Sequence, residues 1–261
     1  MIFLYGYKVT KRDYEHDKEI DYYSKYLGPN WREQKYTGTR VPTIVCNHGG
    51  FIEDLAYIII LSSPPQFTPM KQFLEFKGAY ILKCMQAFPL DRAGTQAERD
   101  AQVKVISERQ KMTMHTEQDY GPVMVYSEGG TSNMKCLQRY RRGAFSSGLP
   151  VQPTHFRWDY KTLSPDYATL PGFEVTVMHL CEFAMQDLTV HCYPLFIPND
   201  YMYTEYAKTI EGHEKMEKWE IYAHAIEDFT RRQGGFGVGT PPLKDMINLK
   251  GFVQGRKKYI V

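Results

Sequence analysis

The sequence predicts an α/β fold with a mainly parallel sheet flanked by helices. Three observations carry this expectation. Short runs rich in β-branched residues alternate with longer segments of helical period, as a sheet with crossover helices requires. The chain has 261 residues, 43% hydrophobic and 24% charged, which suits one large core or two small ones. The loops at His48, Arg92 and Glu128 each follow a strand-like run, and open α/β sheets carry their sites beyond the strand C-termini.

Residues 1–40 are polar and Tyr-rich, turn at Gly28-Pro29-Asn30, and read as an N-terminal arm. Residues 41–46 read as a buried strand centred on Thr43, Ile44 and Val45. His48-Gly49-Gly50 breaks it, and residues 51–61 form the next helix, stopped by Pro64 and Pro65. Residues 78–85 read as a second strand running into 88–92. Thr95-Gln96-Ala97-Glu98 fits a capping box that opens a helix reaching about residue 116, with Ala101, Val105 and Met112 on one face. Residues 122–126 are a third strand, 127–133 a loop and 149–157 a fourth strand. Residues 188–196 alternate as a fifth. Residues 214–232 place Met216, Trp219, Tyr222, Ile226 and Phe229 at helical spacing, with Gly234 and Gly235 as the stop. The main domain is thus expected over 41–235, with a C-terminal extension over 236–261.

Composition excludes several classes. A net charge of +2 argues against nucleic acid as a partner. The 20 Tyr and 14 Phe suit either a half-wet interface or an aromatic core. Five cysteines without a C-x-x-C pair argue against a disulfide framework or zinc site and favour a reducing compartment. No signal peptide is visible, and no stretch approaches the ~20 apolar residues of a spanning helix. Membrane contact is therefore expected to be peripheral or through a partner.

Asn47-His48-Gly49-Gly50-Phe51-Ile52-Glu53-Asp54 sets a carboxylate five positions after a strand-end histidine. The carboxylate can hold one ring nitrogen, so that the other takes a proton from a hydroxyl. A plain structural hydrogen bond accounts for the same spacing. Phe88-Pro89-Leu90-Asp91-Arg92 offers a guanidinium for a phosphate, or an ion pair with Asp91 or Glu98. In Tyr126-Ser127-Glu128-Gly129-Gly130-Thr131-Ser132-Asn133 a glycine turn can gather backbone N–H groups around an anion. Glu128 either bonds an acceptor hydroxyl or braces the loop. Leu149-Pro150-Val151-Gln152-Pro153 is a Pro-flanked strand. Gly234-Gly-Phe-Gly-Val-Gly239 follows a helix rather than a strand, so it is no nucleotide loop. Arg139, Arg141 and Arg142, and the tail 250–258, suit anionic lipid heads or a solvated face. The other seven histidines lack ligand spacing, and no metal site is assigned.

Taken in order, these four segments resemble the blocks of the glycerophospholipid (PlsC-like) acyltransferase family: N-H-x4-D, G-x-x-F-I-x-R, F-P-E-G-T-R and V-P-V-x-P. Cys136-Leu-Gln-Arg-Tyr-Arg-Arg-Gly-Ala-Phe145, Lys25-Tyr-Leu-Gly-Pro-Asn-Trp31 and Glu220-Ile-Tyr-Ala-His-Ala225 look most like the lysophosphatidylcholine acyltransferase branch. The resemblance spans roughly residues 20–235. It implies a glycerolipid acyltransferase-like fold, with His48 as base and Glu53 as its orienter. It also implies that Arg92, Glu128, Gly129, Gly130 and Thr131 hold the acceptor head. Acyl-CoA would be co-substrate, a phospholipid or lysophospholipid the partner, and no bound cofactor is implied. The implied location is peripheral and intracellular, at an endoplasmic reticulum or mitochondrial membrane.

The sequence departs from these blocks at the site. Glu53 stands for Asp, Gln86 for Gly, Pro89 for Phe, Ser127 for Pro, Gly130 for Thr and Thr131 for Arg. A second reading follows: a weakened or inactive homologue serving as a structural or lipid-binding subunit of a membrane protein complex, a mitochondrial one among the candidates.

Overall fold

Strand β3 (Thr43–Cys46) lies at the centre of the molecule, with each of its four side chains sealed from solvent. In this computed structural model the described residues are 2–4, 7–50, 52–60, 64–69, 84, 86–90, 95–115, 120–160, 164, 166, 175, 177–178, 186–239, 243–253 and 255. A β-branched run buried on both faces is what a parallel strand covered by helices requires. β3 pairs in parallel with β5 (Val123–Tyr126) on one side and β7 (Gln152–Asp159) on the other.

The remaining sheet strands are β1 (Ile2–Leu4), β2 (Tyr7–Asp13), β4 (Gln66–Phe67) and β8 (Gln186–Cys192). Their order is β1-β2-β8-β7-β3-β5-β4. The β2·β8, β7·β3, β3·β5 and β5·β4 pairs are parallel; β1·β2 and β7·β8 are antiparallel. The sheet is therefore mainly parallel, as the sequence predicts. A short parallel pair, β6 (Cys136–Leu137) with β9 (Gly237–Val238), stands apart from it.

Strand alternation splits the core into two layers. Val45, Val123 and Val125 face an aromatic layer that includes Tyr23, Phe145, Phe196, Tyr222 and Phe229. Ile44, Cys46 and Met124 face the other, with Ile52, Tyr57, Phe156 and Leu188. Among the described residues most aromatic rings are thus core rather than wet interface. Each such ring contributes about 1.5–3 kcal/mol by leaving water.

The helices are α1 (Ser24–Leu27), α2 (Ile52–Ile60), α3 (Gln96–His115), α4 (Lys218–Gly234) and α5 (Leu243–Val253). α4 starts later than the expected residue 214 because the Glu217 backbone is extended and caps it: the Glu220 carboxylate accepts the Glu217 N–H at 2.7 Å. Gly235 ends it at φ 66°, a left-handed stop that glycine takes without strain. The Thr95/Glu98 box opens α3, Thr95 N–H donating to the Glu98 carboxylate at 2.6 Å.

The expected inner face of α3 is incorrect. Ala101, Val105 and Met112 point to water, and Ile106, Gln110, Thr113 and Met114 are buried instead. A hydrophobic count misses this stripe because a polar residue anchors it: Gln110 Nε2 donates to Thr43 Oγ1 at 2.8 Å and to the Ala144 carbonyl at 2.9 Å.

Residues 1–40, expected as an arm, supply β1 and β2 to the sheet and bury Tyr22, Tyr23, Tyr26 and Trp31 in the aromatic layer. The expected strand over 78–85 falls almost wholly outside the described residues. Among the described residues no helix is long and apolar enough to cross a membrane.

Candidate active site

Cys46 stands opposite Tyr126 in the β3·β5 register, so the loops after these two strands leave the sheet side by side. Three hydrogen bonds hold them together. Ser127 N–H donates to the Cys46 carbonyl at 3.1 Å, Ser132 N–H to the His48 carbonyl at 2.8 Å, and His48 N–H to Glu128 Oε1 at 3.1 Å. The His48 loop and the glycine turn, far apart in sequence, thus form one site.

At its centre His48 Nδ1 meets Glu53 Oε2 at 2.9 Å, with the His48 side chain 13% exposed and that of Glu53 fully buried. Glu53 sits in the first turn of α2, one turn past the break at Gly49-Gly50. The Gly49 N–H donates to both carboxylate oxygens, at 2.9 and 3.0 Å. A Cβ at Gly49 would lie 2.8 Å from Met134 Cε and 3.0 Å from Glu53 Oε1, so a side chain there would press on both. With Nδ1 donating to a carboxylate, the ring lone pair resides on Nε2, the arrangement of an oriented general base.

The electrostatics are finely opposed. Burial pushes the Glu53 carboxyl up to about 8, while the Trp158 indole and the amides of the Gly49-Gly50 turn hold it down. Burial likewise pushes Asp54 up to about 6, against the nearby His48 and the Tyr126 hydroxyl, which donates to it. The Tyr126 ring stacks on the His48 imidazole, centroids 3.8 Å apart at 18°. Asp54 is thus engaged by Tyr126, and Glu53 is the carboxylate on the histidine.

Glu128 is buried, and its two oxygens accept backbone N–H groups from His48 and, at 2.9 Å, from Gln138. Of the two roles open to it, these contacts are those of the brace. Burial pushes its carboxyl up to about 8, and the two amides act against that. Gly129 takes φ 78°, and its N–H closes the turn on the Tyr126 carbonyl at 3.0 Å. Gly130 and Thr131 follow, half-buried, on the same loop. Arg92 lies outside the described residues.

Two residues to which the sequence reading gives no role complete the site. Asn47 is buried and bridges to β7: Phe156 N–H donates to its Oδ1 at 2.8 Å, and its Nδ2 donates to the Phe156 carbonyl at 3.0 Å. Trp158, also on β7, donates its indole N–H to Glu53 Oε1 at 2.7 Å. Trp158 further lines a cavity of about 590 Å³ with Met134, Lys135, Tyr160 and Asp187. No periodicity marks either residue; only the β3·β7 pairing brings them to the loop. Of the basic cluster, Arg142 pairs with Asp100 at 2.9 Å, while Arg139 and Arg141 face solvent.

No family model matches the chain. Among curated proteins it is 23% identical over 206 residues to lysophospholipid acyltransferase LPEAT1 of Arabidopsis thaliana, covering 76% of this chain and 50% of that protein. It is 26% identical over 161 residues to lysophosphatidylcholine acyltransferase 2B of Rattus norvegicus, covering 60% of this chain and 29% of that protein. The chain therefore spans half or less of the length of these relatives. The crystal structure of a 1-acyl-sn-glycerophosphate acyltransferase, PlsC, from Thermotoga maritima aligns with a TM-score of 0.49 at 14% identity, over 88% of this chain and 71% of that one.

Proposed function

We propose that this chain, a relative of the glycerophospholipid (PlsC-like) acyltransferases on the lysophosphatidylcholine acyltransferase side, transfers an acyl group from acyl-CoA to the free hydroxyl of a lysophospholipid. The observation that carries the reading is the 2.9 Å contact between His48 Nδ1 and the buried Glu53 carboxylate. The names of the curated relatives support the substrate class.

In this mechanism Nε2 of His48 takes the proton of the lysophospholipid hydroxyl as its oxygen attacks the thioester carbonyl. The C–S bond breaks, the new ester C–O bond remains, and the imidazolium returns its proton to the CoA thiolate. Glu53 fixes the tautomer and steadies the imidazolium charge. Glu128 acts from behind, by holding the His48 backbone. The Gly129-Gly130-Thr131 turn and Arg92 are proposed to face the acceptor's phosphate. The cavity beside Trp158 and Met134 offers room for part of the acceptor. No step calls for a metal or a bound cofactor. The substrates would be met at a membrane surface, by peripheral association.

The test is direct. Purified protein, supplied with a panel of acyl-CoA thioesters and lysophospholipids in vesicles, is expected to release CoA and form diacyl product, and His48→Ala to reduce this by ~10²–10⁴-fold. No turnover on any acceptor would end the enzyme reading. Recovery of the inactive protein in a large membrane assembly, left intact by His48→Ala, would replace it with the subunit role.

A further inference from the structure

We infer that Trp158 is a positioning residue for the base, the third member of a Trp158–Glu53–His48 relay that adapts this site to a glutamate. The inference rests on the acyl-transfer reading for its kinetic arm alone; the relay itself is a matter of geometry.

Four donor contacts converge on the Glu53 carboxylate. Oε1 accepts the Trp158 indole N–H at 2.7 Å and the Gly49 N–H at 2.9 Å. Oε2 lies 2.9 Å from His48 Nδ1 and accepts from Gly49 at 3.0 Å. The carboxylate is thereby stretched between two rings, one oxygen for each, with the Gly49 amide between them. Each of these donors limits the orientations open to the buried carboxyl group, and those that favour its ionised form work against the burial that raises it. The indole is itself fixed. It is 6% exposed, paired through β7 with Leu188 of β8, and met edge-on by the Tyr7 ring of β2 at 5.2 Å and 83°.

This accounts for the extra methylene. An aspartate at position 53 would withdraw its carboxylate by about 1.5 Å, one C–C bond, and could not keep both rings. Glu53→Asp should therefore impair this chain.

The experiment uses the intact protein. Trp158→Phe, which keeps an aromatic ring on β7, is expected to lower kcat roughly 10- to 100-fold with KM within about twofold, because the base is misaimed rather than the substrate lost. Glu53→Asp is expected to lower kcat similarly. The double variant should be little worse than either single one, since both cut the same relay. Wild-type kcat in either single variant, or fully multiplicative losses in the double, overturns the relay. A second measurement stands if the kinetic arm fails or Trp158→Phe does not fold. In ¹H–¹⁵N spectra the Trp158 indole N–H line is expected far downfield and to move upfield in Glu53→Leu. It should also shift when His48→Ala removes the partner donor. An indole line indifferent to both substitutions overturns the relay even if the enzyme reading holds.

Discussion

Asn47 and Phe156 exchange two hydrogen bonds, side chain to backbone, as two residues of neighbouring strands would backbone to backbone. β3 ends at Cys46, so Asn47 continues its ladder by side chain alone and leaves its backbone free to turn toward His48. Asn47→Asp should remove the donor to the Phe156 carbonyl and set a carboxylate against it. We expect a loss of ~2–4 kcal/mol, beyond that of one hydrogen bond, because the groups are buried. Urea unfolding of the two proteins measures it, and a loss under ~0.5 kcal/mol would disprove the bridge.

Gly49→Ala is expected to cost about 1–3 kcal/mol in the same assay, because its methyl would be forced onto Met134 and Glu53. The displaced carboxylate should also reduce acyl transfer. Full stability and activity in Gly49→Ala would show that the turn has room.

Glu128→Gln keeps the shape but turns an NH₂ group toward one of the two backbone N–H groups that the carboxylate now accepts. Two donors face to face in a buried site should cost about 1–3 kcal/mol. The raised Glu128 carboxyl adds a pH signature. Its folded value of about 8 lies above the ordinary 4.5, so the folded state holds the proton more tightly. The resulting stability is complete below pH 4.5 and is lost as pH rises through 8. Glu128→Gln should flatten that alkaline decline, and an unchanged slope would contradict the assignment.

His155 supplies the opposite limb. It is buried against His191, ring centroids 4.3 Å apart, and among the described residues its Nδ1 has no hydrogen-bond partner. Burial, with His191 and Arg157 nearby, pulls it from 6.5 down to about 3. The unfolded chain therefore takes up the proton first. Stability present above pH 6.5 is lost as pH falls from 6.5 toward 3, at up to ~1.4 kcal/mol per pH unit. His155→Phe should shift the acid-unfolding midpoint to lower pH, and an unmoved midpoint would count against a buried neutral imidazole.

The central strands were legible because their side chains do one thing. Thr43-Ile44-Val45-Cys46 and Val123-Met124-Val125 are mostly β-branched or apolar, and a strand buried on both faces leaves little other reading. The His48–Glu53 pair was legible because it is local, a strand end and the first turn of the next helix. What escaped is long-range. Asn47 and Trp158 acquire their roles only from the pairing of β3 with β7. Gln110, a polar residue in the buried stripe of α3, inverts the face that a hydrophobic count selects. Tyr7 and Val9 read as part of a polar arm, yet they are core residues, because their partner strand lies far along the sequence.

That last pairing dictates an order of assembly. Tyr7 is matched with Gln186, which the ribosome adds 179 residues later, so until then a nascent β2 has only β1 to pair with and its other edge stays open. Until β8 arrives, its row of open backbone groups is a hazard for association with other chains. The Tyr7 ring that props the Trp158 indole arrives with it. The Trp158 indole thus gains this support only once β8 has joined β2 to the sheet.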